Sequence, residues 1–195
     1  MRLFSLSVHQ VASGKSTALI TATDLSTFSF YQKGSVAEFM TFFSNTVAER
    51  TPNGQRQSVQ EKSYTFHAYN QGGLVGILIS DEEYPVRPAF SLLTKVLDEF
   101  SSTVPASSYS NPSSISFPQA GVYLGKYQDP KQADAIMKVQ QELDETKIIL
   151  HKTIETVLER GEKLDDLVDR SNALSNQSKM FYKTAKKQNS CCVIA

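Results

Sequence analysis

The sequence predicts an α+β domain over residues 1–125, followed by a long α-helical segment over residues 133–188 and a short tail. Turn signals at residues 13–15 and 70–73 each separate two β-rich runs, which is typical of hairpins and favours an antiparallel sheet. Two stretches of the same region carry apolar residues at helical spacing. After residue 133 the pattern changes to a heptad repeat with charges of both signs, which indicates a coiled coil.

The order of elements in residues 1–125 is strand–strand–helix–strands–helix, which places helices on an antiparallel sheet. The strands are expected at residues 2–9, 17–22, 64–69 and 74–79. The first helix is expected to begin at Ser35, which has capping-box spacing to Glu38, and the second helix at Pro88. The stretch 101–120 is rich in Ser and Pro, which predicts an exposed, flexible connection.

The composition disfavours several classes of protein. With 20 basic and 20 acidic residues the formal net charge is zero, so the charge does not indicate a nucleic-acid partner. The two cysteines, Cys191 and Cys192, are adjacent and give neither a disulfide framework nor a zinc spacing. This cysteine usage favours a reducing, cytosolic setting. No run reaches the ~18 apolar residues of a membrane span, and the first residues do not form a signal peptide. Three scattered histidines make no metal spacing and no catalytic motif: His9, His67 and His151.

The heptad segment (residues 133–188) carries a seam of apolar or small residues at alternating spacings of three and four. Its predicted coiled-coil layers are Ile136, Val139, Leu143, Leu150, Val157, Leu164, Leu167, Leu174 and Phe181. Thr and Ser at other seam positions dilute this seam, and a glycine at position 161 costs roughly 1 kcal/mol of helix stability. We therefore expect the segment to be poorly ordered alone and to become a continuous helix on binding partner helices.

One seam position carries a charge, Arg160, in phase with Val157 and Leu164. Removing a guanidinium from water is costly, so an arginine in a coiled-coil core requires acceptors on the partner helices. In that case Arg160 fixes the register of the helices. The alternative is that Arg160 snorkels from the edge of a two-stranded coil. The spacing alone favours neither interpretation.

The centre of the heptad segment resembles the R-SNARE motif of the synaptobrevin type, over the sequence TVLERGEKLDDLVDRS at residues 156–171. Arg160 matches the arginine of the central ionic layer, and the flanking layers follow in phase. The resemblance implies a parallel four-helix bundle in which Arg160 bonds three glutamines, one from each Q-SNARE helix. Zippering of the bundle from Ile136 toward Ala185 would then pull two membranes together.

The tail, residues 189–195, ends with Cys192 in the position of a prenylated C-a-a-X cysteine, and alanine in the last position suits farnesyl. Because a single lipid binds membranes reversibly, Cys191 is a candidate second signal, carrying palmitate or another prenyl group. Nearby lysines add attraction to anionic lipid: Lys179, Lys183, Lys186 and Lys187. The alternative is a chance four-residue match, but the tail supplies the anchor that a SNARE without a membrane span lacks.

The N-terminal region resembles a longin domain in its order of elements and its position before the SNARE-like segment. Further similarities are TFSFYQ (27–32), EFMTFFS (38–44) and KVLDEFS (95–101). The complete arrangement resembles the prenylated longin R-SNAREs. This implies a five-stranded antiparallel sheet with helices, and a protein that is cytoplasmic or lipid-anchored on the cytosolic face of Golgi, endosomal, vacuolar and ER membranes. It also implies a closed form in which the longin domain contacts the SNARE segment, autoinhibits it and aids targeting.

Three aromatic residues on the first helix predict a groove: Phe39, Phe42 and Phe43. Phe42 lies about 120° from the main apolar stripe, so we expect it to be partly exposed. Such a groove suits either the SNARE segment folding back or a farnesyl chain, since each buried CH₂ is worth ~0.8 kcal/mol. The alternative is that Phe42 makes a second buried contact under a neighbouring loop.

These inferences favour a SNARE that mediates vesicle fusion in transport among ER, Golgi, endosomes and vacuole, working by folding rather than by catalysis and without a cofactor. One alternative is longin-assisted palmitoyl transfer to Cys191, an activity proposed for this family, for which the sequence offers no catalytic set. Another is a prenylated scaffold with a generic dimeric coiled coil, which would self-associate without glutamine-bearing partners.

Overall fold

A six-stranded sheet forms the centre of the computed structural model, which describes residues 1–129 and 147–190. Its strands are β1 Leu3–Ala12, β2 Lys15–Thr23, β3 Arg56–Glu61, β4 Tyr64–Gln71, β5 Leu74–Asp81 and β6 Ile148–His151. The strand order is β2-β1-β5-β4-β3-β6. All neighbours among β1 to β5 are antiparallel, which confirms the predicted five-stranded sheet. The sixth strand, β6, comes from the heptad segment and lies parallel to β3.

The helices cover both faces of this sheet. The described helices are α1 Phe30–Glu49, α2 Val86–Thr103, α3 Gln119–Lys126, α4 Leu164–Arg170 and α5 Asn176–Ser190. One apolar core lies between the sheet and the pair α2 and α3, and the second lies between the sheet and α1. The predicted α+β class is therefore confirmed.

Both long helices begin earlier than the sequence predicts. Helix α1 begins after Ser29, whose N–H donates to Gln32 Oε1 at 3.3 Å, so the capping pair lies six residues before the predicted one at Ser35. Helix α2 begins at Val86 rather than at Pro88. A proline in the first helical turn removes no intrahelical hydrogen bond, because the N–H groups of that turn have no helical acceptor.

The stretch 101–120 is ordered, and the prediction of a flexible connection is wrong. Helix α2 continues to Thr103, and two short 3₁₀ turns follow at Ala106–Ser110 and Pro112–Ser114. The Tyr109 ring stacks on Phe100 with centroids 5.9 Å apart, and Phe117 is buried against the same ring. These aromatic contacts hold a Ser- and Pro-rich chain on the core.

Two buried histidines are hydrogen-bonded within the domain. His67 lies between Ser58 and Ser80, at 2.8 Å from Nδ1 and 3.1 Å from Nε2. Because the Ser80 hydroxyl donates to the Asp81 carbonyl, Nε2 carries the proton of His67 and donates to Ser80. His9 lies in the same way between two hydroxyl groups, that of Ser7 on β1 and that of Ser16 on β2. Burial lowers the pKa of both imidazoles from 6.5 to about 4.

These two histidines are expected to make the domain acid-sensitive. Below pH 6.5 the unfolded chain binds protons that the folded chain excludes until about pH 4, so the free energy of unfolding decreases across that window. The loss is roughly 3 kcal/mol for each histidine. Urea unfolding between pH 7 and pH 4, with NMR titration of the imidazole protons, measures it. Imidazoles of His9 and His67 that titrate near pH 6.5 in the folded protein would contradict this account.

Candidate functional site

Residues 147–190, here called the fold-back segment, pack on the longin-like domain. The segment consists of β6, a 3₁₀ turn at Ile154–Val157, α4 and α5. It pairs with β3 in the register Arg56↔Ile148 to Val59↔His151. Such a parallel addition to a sheet edge satisfies the backbone groups of β3 that a free edge would expose. The contact between the two regions that the resemblance implied is therefore present.

The described part of the heptad segment is not a continuous helix in this conformer. The fold-back segment is ordered here because the neighbouring domain supplies the packing surface. Poor order of the segment alone stays a prediction. The helical heptad pattern instead predicts the structure that the segment is expected to adopt with partner helices.

Four apolar side chains anchor the fold-back segment in the core beneath α1: Ile154, Leu164, Val168 and Leu174. Ile154 and Val168 are completely buried. Neither belongs to the predicted coiled-coil layers, so the heptad pattern does not identify them as site residues. The available signal was that each is an apolar residue directly after a seam position, where a coiled coil does not require one.

The predicted layers divide between buried and exposed positions in this conformer. Leu164 and Leu174 are buried, and Val157 and Leu167 are partly buried. Leu150 and Phe181 are 69% and 63% exposed. The predicted layers Ile136, Val139 and Leu143 lie outside the described residues. The closed contact and the predicted coiled coil thus use overlapping but different sets of side chains.

Arg160 lies exposed in a turn between the 3₁₀ turn and α4. The next residue, Gly161, has a φ of 91°. Two glutamates that flank this pair hold the turn against the end of α1. Arg50 donates to both carboxylate oxygens of Glu162, at 3.0 and 2.9 Å, and lies 3.8 Å from Glu159. The side chain of Arg160 is therefore outside the closed contact.

Hydrogen bonding fixes the Glu162 carboxylate in this turn. The hydrogen bond from Arg50, and after it the bond from the Glu159 N–H at 2.9 Å, hold the pKa of Glu162 below its ordinary value. One nitrogen of Arg50, Nη2, donates to both oxygens of Glu162. This charge-assisted contact ties the turn to the end of α1 and so constrains the path of the chain.

Helix α5 lies against the first half of α1. The Ser175 N–H donates to Glu38 Oε2 at 2.8 Å, so a carboxylate of α1 binds the start of α5. The Tyr182 ring packs on Phe39 with centroids 6.2 Å apart, and its hydroxyl donates to Asp165 Oδ1 at 3.1 Å. These contacts orient α5 on both α1 and α4.

Phe42 is buried, with 6% of its surface exposed, so the expectation of partial exposure is wrong in this conformer. The reason lies in the fold-back segment. Glu38, one helical turn before Phe42 on the same side of α1, binds the start of α5. Phe42 belongs to the same core as Val168 and Leu174. The segment therefore covers the side of α1 on which Phe42 was predicted to form part of an open groove.

Phe39 and Phe43 line a separate apolar cavity of about 200 Å³ between α1, the β3–β4 turn and α5. The lining residues are Val36, Phe39, Met40, Phe43, Glu61, Lys62, Tyr64, Phe66, Phe181 and Tyr182. The apolar side chains form the interior, and only two of the lining residues are charged. Two of the three predicted groove residues thus lie on this cavity, and Phe42 does not line it.

The predicted lipidation sites, Cys191 and Cys192, lie outside the described residues. The residue before them, Ser190, is the last of α5. Among the helices of the described ranges, no segment is both long and apolar enough to cross a membrane. In residues 1–129 and 147–190 no cluster of acidic, His and Cys side chains suits a metal ion.

Two family models match the chain. A regulated-SNARE-like longin domain model matches residues 25–124, and a synaptobrevin model matches residues 135–193. A longin domain joined to a synaptobrevin segment defines a longin SNARE, and the contact described above joins these two parts.

Curated relatives resemble the whole chain. Synaptobrevin homolog ykt6 of Schizosaccharomyces pombe is 59% identical over 197 residues, and YKT6 of Saccharomyces cerevisiae is 54% identical over 199 residues. Both matches cover 100% of each chain. YKT6 of Candida glabrata is 55% identical over 197 residues, covering 98% of this chain and 96% of that protein. The chain therefore belongs to the Ykt6-type synaptobrevin homologs, which are R-SNAREs of membrane trafficking.

Proposed function

We propose that this R-SNARE drives vesicle fusion by exchanging the closed contact for a four-helix bundle with three Q-SNARE helices. The observation that carries the proposal is the position of Arg160. It lies in phase with the apolar seam of the heptad segment, yet its side chain is exposed and takes no part in the closed contact. A seam arginine without a role in the closed form is explained by acceptors on partner helices.

The longin domain autoinhibits the SNARE segment in this proposal. Closure buries Leu164 and Leu174, two of the predicted layers, and holds residues 148–151 as a strand. Burial of one such side chain is worth about 1.5–3 kcal/mol, so partner helices must supply equal or greater burial before the segment is released. Closure therefore suppresses assembly until three matching helices are present together.

Arg160 provides the test of the bundle. With the full chain and three Q-SNARE helices, we expect a gain of helicity and an SDS-resistant complex. Arg160→Ala leaves three glutamine amides without their partner, which should weaken the complex by at least about 2 kcal/mol. Amide exchange of residues 148–151 in the chain alone should not change, because Arg160 is outside the closed contact.

The matched control for this test is Arg170→Ala, which removes an exposed arginine that lies off the seam. It should assemble like the parent. Self-association of the chain without Q-SNARE helices, to the same extent in the parent and in Arg160→Ala, would support the generic coiled-coil scaffold instead. Acyl transfer from acyl-CoA by the purified chain, lost on substitution of a longin residue, would support the palmitoyl-transfer alternative.

A lipid anchor completes the proposal. Cys192 carries a farnesyl or other prenyl group, and Cys191 carries palmitate or a second prenyl group. Together they attach the chain to the cytosolic face of ER, Golgi, endosomal or vacuolar membranes, while the closed form is cytoplasmic. The apolar cavity beside Phe39, Phe43 and Phe181 supports shelter of the prenyl chain in the closed form, since its lining is almost entirely apolar.

Intact mass of the chain purified from a prenylating host tests the anchor. The parent should carry the mass of an isoprenoid on its C-terminal peptide and float with liposomes once Cys191 is acylated. Cys192→Ser should lose the isoprenoid mass and at least about tenfold of the membrane-bound fraction, since a single remaining lipid binds reversibly. Ser190→Ala is the neighbouring control, because it changes the residue before the two cysteines and keeps the complete C-a-a-X sequence. A parent chain that leaves the host without an isoprenoid would contradict the proposed lipid anchor. The proposed four-helix bundle would not be affected by that result.

A further inference from the structure

The turn at Gly161 depends on a backbone angle that other L-residues rarely adopt. Gly161 has a φ of 91°, in the left-handed region. A Cβ built at this position meets no atom within 4 Å. The surrounding space therefore accepts a side chain, and only the backbone conformation requires glycine.

The contacts on both sides of Gly161 prevent the turn from relaxing. Ile154 before it and Leu164 after it are buried in the same core, and the chain must change direction between these two anchors. Arg50 fixes Glu162, the next residue, through two hydrogen bonds. A residue that avoids positive φ at position 161 must therefore strain the turn or release an anchor.

The same glycine opposes the alternative structure of the segment. Position 161 lies in the centre of the heptad segment, directly after the seam residue Arg160, where a continuous helix requires φ near −63°. Glycine is among the poorest residues in a helix interior because it loses the most backbone freedom there. Glycine at this one position thus favours the closed turn and disfavours the helix.

We propose that Gly161 is the hinge that sets the ratio of closed to open chain, through its backbone alone. The proposal rests on the proposed function only in taking the bundle helix as the open state. Residues that exclude positive φ open the chain, and residues that favour positive φ close it further. The hinge at which the fold-back segment is released is then adjacent to Arg160, the predicted ionic-layer residue.

Amide exchange of Ile148–His151 in the full chain, without partner helices, tests the hinge, because these residues pair with β3 only in the closed form. Gly161→Ala should reduce their protection by about tenfold or more, since positive φ is costly for an L-residue. Replacement of Gly161 by D-alanine, introduced by ligation, should increase protection several-fold because D-residues prefer positive φ. Gly161→Asn should stay near the parent, since Asn tolerates the left-handed region.

Gly14→Ala is the matched control. Gly14 also has a positive φ and open space around its Cβ, but it lies in the β1–β2 turn, at the edge of the sheet opposite β6. Gly14→Ala should lower the overall stability of the domain without a selective loss of amide protection in β6. Equal protection in the L-alanine and D-alanine chains would overturn the hinge, as would a selective loss in Gly14→Ala.

The outcomes separate the hinge from the proposed function. If all variants assemble with Q-SNARE helices but share the parent's amide exchange, the hinge fails and the bundle stands. If no variant, nor the parent, assembles with Q-SNARE helices, the bundle fails. The opposite shifts of the two alanine enantiomers would still establish the hinge in that case, because they are measured without partners.

Discussion

Val168→Asp is expected to release the fold-back segment while the longin domain remains folded. Val168 is completely buried beneath α1, and a carboxylate placed there without a partner costs several kcal/mol. The strands β1 to β5 form the domain without this residue, so their amide protection should persist while that of β6 is lost. Assembly with Q-SNARE helices should become faster because the segment is already released. The assembled complex should be as stable as that of the parent, because Val168 is not a predicted layer.

Two comparisons make the Val168 result specific. Gln177→Asp adds an acidic group at an exposed position of the next helix, α5, and should leave the chain closed. Leu150→Ala should leave the chain closed but weaken assembly with Q-SNARE helices. Leu150 is exposed in the closed form and is a predicted layer of the bundle. Retention of β6 protection in Val168→Asp would mean that the buried anchors do not hold the closed form.

Phe42→Ala is expected to open the chain from the longin side. The ring is buried on the side of α1 that the fold-back segment covers, and truncation of such a ring costs about 3–5 kcal/mol. Since α1 takes no part in the proposed bundle, assembly should be unimpaired. In the lipidated chain, the membrane-bound fraction should rise, measured by liposome flotation beside amide exchange of β6.

Phe30→Ala is the control for Phe42, because Phe30 lies on the same helix and is 85% exposed. It should change neither amide exchange nor flotation. A Phe42→Ala chain that stays closed and as cytosolic as the parent would contradict the role of this contact. General loss of protection in β1 to β5 would also contradict it, since the ring would then support the domain rather than the closed contact.

The sequence predicts the sheet well where chemistry is local. The hairpins at residues 13–15 and 70–73 are encoded by turn residues between β-rich runs, and both form as predicted. Strand β3 was missed because Val59 is its only strongly apolar residue. Its polar members are buried through partners on neighbouring elements, such as His67 of β4 for Ser58, which the apolar pattern of β3 itself does not reveal.

The remaining differences also come from tertiary contacts. The chain around Tyr109 has a composition typical of flexible linkers, but packing on Phe100 orders it. The heptad pattern predicts a helix in a bundle and contains no periodic signal for the closed form. That form depends on Ile154 and Val168, which lie off the seam, and on a positive φ at Gly161.

The proposed exchange of the longin contact for a bundle of helices changes the distance between α1 and α5. Spin labels at Thr41 on α1 and Met180 on α5, two exposed positions, measure this directly by electron–electron distance in a Cys191→Ser, Cys192→Ser background. The account predicts one short, narrow distance in the chain alone and a long, broad distribution after addition of three Q-SNARE helices. A short distance that persists in the assembled complex, or a long distance in the chain alone, would contradict it.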